Sequence, residues 1–129
     1  GAHLMMFGVY CGDFTVERTV LLASIPLEAE TGMTVRTLWV LADTQEALPT
    51  AYWVLTVGKF SGGPFRAIRT IPFPEGFSDK PQRVSLDPEV PMSRGDMLAL
   101  RVYPTGASAV PLTGLSVIPE YALTSARAR

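Results

Sequence analysis

Gly95-Asp-Met-Leu-Ala-Leu-Arg-Val-Tyr-Pro-Thr-Gly106, followed by a short connection and Leu112-Thr-Gly-Leu-Ser-Val-Ile-Pro-Glu-Tyr121, is the stretch whose reading decides the fold. Met97, Ala99, Arg101 and Tyr103 alternate with Leu98, Leu100 and Val102. A period of two puts successive side chains on opposite faces of a strand. Gly95-Asp96 supplies the turn before it, and Asp96 reads as accepting local backbone N–H bonds that set the strand's register. Thr105–Pro111 is a loop, and Leu115–Tyr121 is a second alternating strand. Its Pro119 implies an edge position or a bulge, because proline has no N–H to give to a ladder. Together the two segments read as the closing hairpin of a β-sandwich.

Outward from that stretch the same signals recur. Phe14–Ala23 alternates Phe14, Val16, Arg18, Val20 and Leu22 against Thr15, Glu17, Thr19, Leu21 and Ala23, and Ile25-Pro26 ends it. Thr34–Ala42 and Thr50–Val57 are dense in branched and aromatic residues, which favour strands. Phe65–Ile71 and Gln82–Leu86 are shorter strands, the latter broken by Asp87-Pro88 and Pro91. Asp43–Pro49 is a turn, with Thr44–Ala47 the one place where a short helix would be comfortable. The expectation is an all-β, antiparallel β-sandwich, jelly-roll-like, with seven to eight short strands and little or no helix. Gly1–His3 reads as a tag remnant, residues 4–123 as a single domain, and 124–129 as a flexible tail.

At 129 residues the chain is long enough to bury a core without disulfides, and its single Cys11 allows no intramolecular disulfide. With 47% hydrophobic and 18% charged residues it belongs with folded chains, not disordered ones. A net charge of −1 argues against non-specific nucleic-acid binding, which draws on a basic surface. No apolar run reaches the length of a membrane-spanning helix. Asparagine is absent, and nine arginines stand against two lysines, Lys59 and Lys80. Loss of thermolabile amides leans towards a thermophilic source, although a GC-rich genome would give part of the same bias.

Catalytic constellations are missing. His3, the only histidine, sits in the tag-like terminus, so a Ser-His-Asp or Cys-His arrangement is close to excluded. Cys11 follows an apolar run and reads as a small buried hydrophobe. The acid pairs Glu28/Glu30, Asp43/Glu46 and Asp87/Glu89 fall in turns, with neither the cleft a glycosidase needs nor an EF-hand spacing. Lys59-Phe-Ser-Gly-Gly reverses the phosphate-loop order and no helix follows it. Arg66 and Arg69, three apart in one strand, read as lying on opposite faces. Trp39, Tyr52 and Trp53 would make a sugar-stacking platform if exposed together, but their apolar settings suit a core better. The expectation is a protein that is not an enzyme, with no catalytic residue, cofactor or metal site.

Two apolar segments remain to be placed. Leu4–Tyr10 is either a first strand or an arm that docks on a neighbour. Phe60, Phe65, Phe73 and Phe77 lie among glycines and prolines between Gly58 and Pro81, too apolar for a solvated loop. They either tuck over their own sandwich or bury themselves against another subunit. The candidate interface residues are therefore Leu4, Met5, Met6, Phe7, Phe60, Phe65, Phe73 and Phe77.

The pattern Thr50-Ala-Tyr-Trp-Val-Leu-Thr-Val, then Val84-Ser-Leu, then the Gly95–Gly106 and Leu112–Tyr121 segments resembles small β-sandwich structural proteins of tailed bacteriophages. Among these it looks most like head decoration (auxiliary capsid) or collar and tail-attachment subunits. The resemblance covers roughly residues 50–121 and is one of strands and turns. It implies a virion protein on the capsid surface that self-associates, a trimer being favoured. It also implies binding to the major capsid protein or another virion protein, bracing the capsid against internal DNA pressure, with no nucleic-acid or membrane partner. The alternative from another class is a carbohydrate-binding or adhesion module on a jelly roll.

Overall fold

The structure is a computed structural model that describes residues 4–44 and 46–125. Among the described residues nine strands follow one another: β1 (Leu4–Met6), β2 (Val9–Phe14), β3 (Arg18–Ser24), β4 (Thr31–Leu41), β5 (Trp53–Phe60), β6 (Arg66–Phe73), β7 (Gln82–Met92), β8 (Met97–Pro104) and β9 (Leu112–Ser125). No helix occurs among the described residues.

One sheet has the order β2-β9-β4-β7, with β1 continuing the β2 edge along β9, and the other has the order β3-β8-β5-β6. Every pairing is antiparallel. Setting β1 aside, alternate crossings between sheets give the eight-strand jelly-roll arrangement, an all-β sandwich. Nine strands replace the expected seven to eight, and β4, β7 and β9, at 11, 11 and 14 residues, are long. The extra strands arise at the N-terminus. There Thr15–Glu17 interrupts the expected Phe14–Ala23 strand, so that Phe14 closes β2 and Arg18 opens β3.

β8 and β9 do not form a hairpin. β8 pairs β3 and β5 in one sheet, while β9 pairs β1, β2 and β4 in the other. The Thr105–Pro111 loop carries the chain between sheets, which alternation within each strand cannot reveal. β9 is thus an interior strand despite Pro119. The nearest irregularity is a bulge in β4 between Val35 and Thr37. Opposite Ile118 and Pro119 the outer ladder also lapses at Phe7-Gly8, between β1 and β2.

Proline acts differently in β7. The strand runs on through Asp87-Pro88, a cis peptide, but its ladder to β4 jumps from Ser85 to Val90. An edge strand can hold Pro88 and Pro91 because one of its sides needs no N–H donor. Thr124 and Ser125, expected in a tail, instead pair with Gly32 and Thr31. Residues 126–129, Gly1–His3 and Gln45 lie outside the described residues.

The core lies between the sheets and is built from the inward faces of β4, β5, β8 and β9. Leu38, Leu55, Leu98, Leu100, Leu112 and Leu115 are wholly buried there. Trp53 packs at a tilt against Phe14, ring centroids 6.3 Å apart, and donates its Nε1–H to the Val110 carbonyl at 2.6 Å.

Candidate functional site

The apolar N-terminus forms an edge of the protein's own sheet. β1 sets Leu4, Met5 and Met6 against Ala122, Tyr121 and Glu120, and β2 resumes with Val9 against Val117. Pleating sends Met5 and Val9 towards the core and Leu4, Met6 and Tyr10 to the outer face. Leu4 is 54% exposed, Met6 54%, Phe7 60% and Tyr10 71%. From Leu4 to Gly12 there is no Asp, Glu, Lys or Arg. On the outer face Met6 stands beside Glu120 of β9, and the apolar surface continues inward through Ile118 and Trp39, cross-strand neighbours that are half-buried. The indole Nε1 of Trp39 is buried without a hydrogen-bond partner among the described residues.

Three further exposed apolar side chains, Val16, Leu21 and Leu27, lie on or next to β3, the matching edge of the second sheet. The alternation read over Phe14–Ala23 groups Val16 with Phe14, Val20 and Leu22. Val16 sits on the short connection between β2 and β3, where strand alternation no longer governs it.

The four phenylalanines divide into two pairs. Phe73 and Phe77 are buried in the core and stacked, with centroids 4.2 Å apart and planes at 14°. They tuck into their own sandwich. Phe60 and Phe65 meet edge to face at 5.5 Å beside the β5–β6 hairpin, and the Arg101 guanidinium lies 4.7 Å over the Phe65 ring. Phe65 fits because residue 58 is glycine: a Cβ there would stand 2.5 Å from Phe65 Cζ. The expected interface residues therefore do not form one surface. Leu4, Met6 and Phe7 share an exposed edge, Met5 faces inward, and the phenylalanines serve elsewhere.

Beside that hairpin, a cleft of about 330 Å³ is lined by Lys59, Ser61, Gly63, Pro64, Phe65 and Arg66. Its lysine is already engaged. Lys59 Nζ donates to the Pro91 carbonyl at 2.5 Å and to Asp96 Oδ2 at 3.2 Å, and both charged side chains are nearly buried. The Ser93 N–H donates to the same Asp96 oxygen at 2.9 Å, the turn bond expected from Gly95-Asp96. Burial pushes the Asp96 carboxyl up. Hydrogen bonds from Ser93, Ser61 and Lys59, with the Lys59 charge, outweigh that and hold it below the usual carboxylate range.

Arg66 and Arg69 lie on one side of β6, not on opposite faces. Arg66 pairs with Lys59 and Arg69 with Val57, because Ile68 is an extra residue in the ladder. Such a bulge reverses the alternation beyond it. Arg69 Nη1 donates to the Ser85 carbonyl of β7, clasping the two sheets at this side.

Cys11 is buried, its thiol pushed up to about 11 by burial, with the Arg18 charge pulling weakly the other way. That keeps it protonated and a poor nucleophile at neutral pH. Among the described residues no three His, Cys, Asp or Glu side chains gather as metal ligands. Trp39 and Trp53 belong to different sheets and Trp53 is buried, so Trp39, Tyr52 and Trp53 make no common platform. His3 lies outside the described residues. No helix among the described residues is long and apolar enough to cross a membrane.

No family model and no curated protein matches the chain. Among solved structures it is similar to part of the dimeric latent PorU of Porphyromonas gingivalis, at 15% identity and a TM-score of 0.47. The match covers 96% of this chain and 13% of that one, so the chain spans about an eighth of that protein's length.

Proposed function

We propose that this chain is a non-catalytic virion structural protein of a tailed, thermophilic phage, a decoration or auxiliary subunit that self-associates and binds a capsid protein. One observation carries the reading: Leu4, Met6, Phe7 and Tyr10 stand exposed on an uncharged strand edge. Contiguous exposed apolar surface of this kind belongs to protein–protein contacts, and an open strand edge adds unpaired backbone donors and acceptors. The jelly-roll order supports it as an architecture that capsid proteins share with lectins and cupins. Because fold alone does not select among these, the edge carries the weight.

Mass spectrometry of purified virions from the phage that carries the gene tests the reading. The expected result is this chain at a copy number comparable to the major capsid protein, removable by mild denaturant without loss of the capsid shell. Its absence from purified virions would overturn the proposal.

A further inference from the structure

We infer that the open edge from Leu4 to Tyr10 is a homotypic pairing site, taking the same edge of a second copy of this chain antiparallel across a two-fold axis. An exposed strand edge presents unpaired N–H and C=O groups in a row, so the partner it fits is another strand.

Charge and backbone chemistry say which strand. β7 carries Pro88 and Pro91, and a break in its ladder from Ser85 to Val90. β6 carries Pro72, the Ile68 bulge, Arg66 and Arg69. β3 begins at Arg18 and bulges between Leu21 and Ala23. Each of these edges has at least one of the features that blunt strand pairing: proline, a bulge or an inward-pointing charge. β2 is itself closed from Cys11 onwards. Register shifts occur around Gly12, and Arg18 Nη2 donates to the Cys11 carbonyl at 3.0 Å. What stays open is Leu4–Tyr10, which shares the fault of a ladder break, at Phe7-Gly8, but has neither a proline nor a charged side chain.

Two such edges related by a two-fold set apolar against apolar along their whole length and oppose no like charges. Docking the same edge on β6 of another copy would set it against arginines and a proline. A self-complementary patch of this kind closes as a two-fold pair, the commonest symmetry of soluble oligomers. The inference yields a dimer, where the phage-protein resemblance implies a trimer, and it stands on the edge alone.

Light scattering on the full chain across a concentration series, with hydrogen exchange read at residues 4–10, tests it. The expected mass is twice the 14.0 kDa of the chain. Amides on the open side of residues 4–10 should exchange at least tenfold more slowly in the dimer than on dilution. Met6→Lys and Tyr10→Lys, each placing like charges across the two-fold, should weaken association by more than tenfold with an unchanged circular dichroism melt. Should one variant fail to fold, the other and the wild-type exchange pattern still decide. A wild-type monomer at the highest concentration, a trimer, or a dimer indifferent to both lysines would overturn the inference. Absence from virions would sink the functional proposal and leave this result standing.

Discussion

Along one side of the sandwich β6 lies beside β7; along the other, β1 and β2 lie beside β3. The first side is armoured. Arg69 reaches across to the Ser85 carbonyl and Lys59 to Pro91 and Asp96, while within one sheet Arg36 of β4 holds Glu89 of β7 at 2.9 Å. Prolines 72, 88 and 91 remove backbone donors from its strands. The second side has one cross-sheet clasp, Arg18 on the Cys11 carbonyl, and holds Leu4, Met6, Phe7, Tyr10, Val16 and Leu21 in the open. An edge strand is a pairing hazard unless something blunts it. On the proposed reading, a chain that blunts one side so thoroughly and leaves the other open keeps its contacts to the open side. Substitutions should accordingly divide into those that unfold the armoured side and those that leave stability alone.

The largest loss is expected on the armoured side, at Lys59. Lys59→Ala leaves the Asp96 carboxylate nearly buried without its counter-charge, and breaking such a pair costs about 3–5 kcal/mol. Adding Asp96→Asn should recover part of that loss, a non-additivity that a double-mutant cycle in urea would read. Asp96 is held low in the fold, so its contribution is present above its ordinary pKa of 3.8 and lost as pH falls through the lower folded value. Additive losses would show that the pair does not act as one. Phe77→Ala, which removes one ring of the buried stack with Phe73, should cost about 3 kcal/mol. A loss below about 1 kcal/mol would place that ring at the surface, contrary to the packing.

Much of this division lies beyond sequence reasoning, for identifiable reasons. Strand positions were legible wherever period-two alternation ran unbroken: Met97–Tyr103 was expected and Met97–Pro104 is observed. Partners were not legible, since the same alternation suits a hairpin or a crossing between sheets, and β8 and β9 take the crossing. A bulge is invisible to alternation, which is why Arg66 and Arg69 were assigned to opposite faces. Lys59 could have been found. It continues the inward series Trp53, Leu55, Val57, where a lysine demands a buried partner, and Asp96 was already placed in a turn. The N-terminal edge was legible as apolar, but its exposure depends on β9 taking it as an outermost strand.

Cys11 lies on the open side, buried in β2 where its carbonyl meets Arg18. Its thiol is raised from an ordinary 9.0 to about 11, chiefly by burial. A raised pKa means that the stabilising contribution is complete below pH 9 and is lost as pH rises towards the folded value. Wild-type stability should therefore fall relative to Cys11→Ala between pH 9 and 11, by about 2 kcal/mol. A stability gap between the two proteins that stays constant from pH 7 to 11 would show that the thiol ionises as freely in the fold as outside it.

The smallest effect on stability is expected where the effect on assembly is greatest. Phe7→Ser exchanges an exposed ring for a hydroxyl at the lapse between β1 and β2, where no ladder bond or core contact depends on it. Surface changes of this kind usually fall within about 0.5 kcal/mol. Dilute thermal melts should therefore superimpose on wild type, while at high concentration the wild type alone should melt later as concentration rises, because only association makes the midpoint concentration-dependent. A Phe7→Ser protein that melts several degrees lower in dilute solution would mean that the ring supports its own fold. In that case the open side would be part of the core's cover and not a surface kept for a partner.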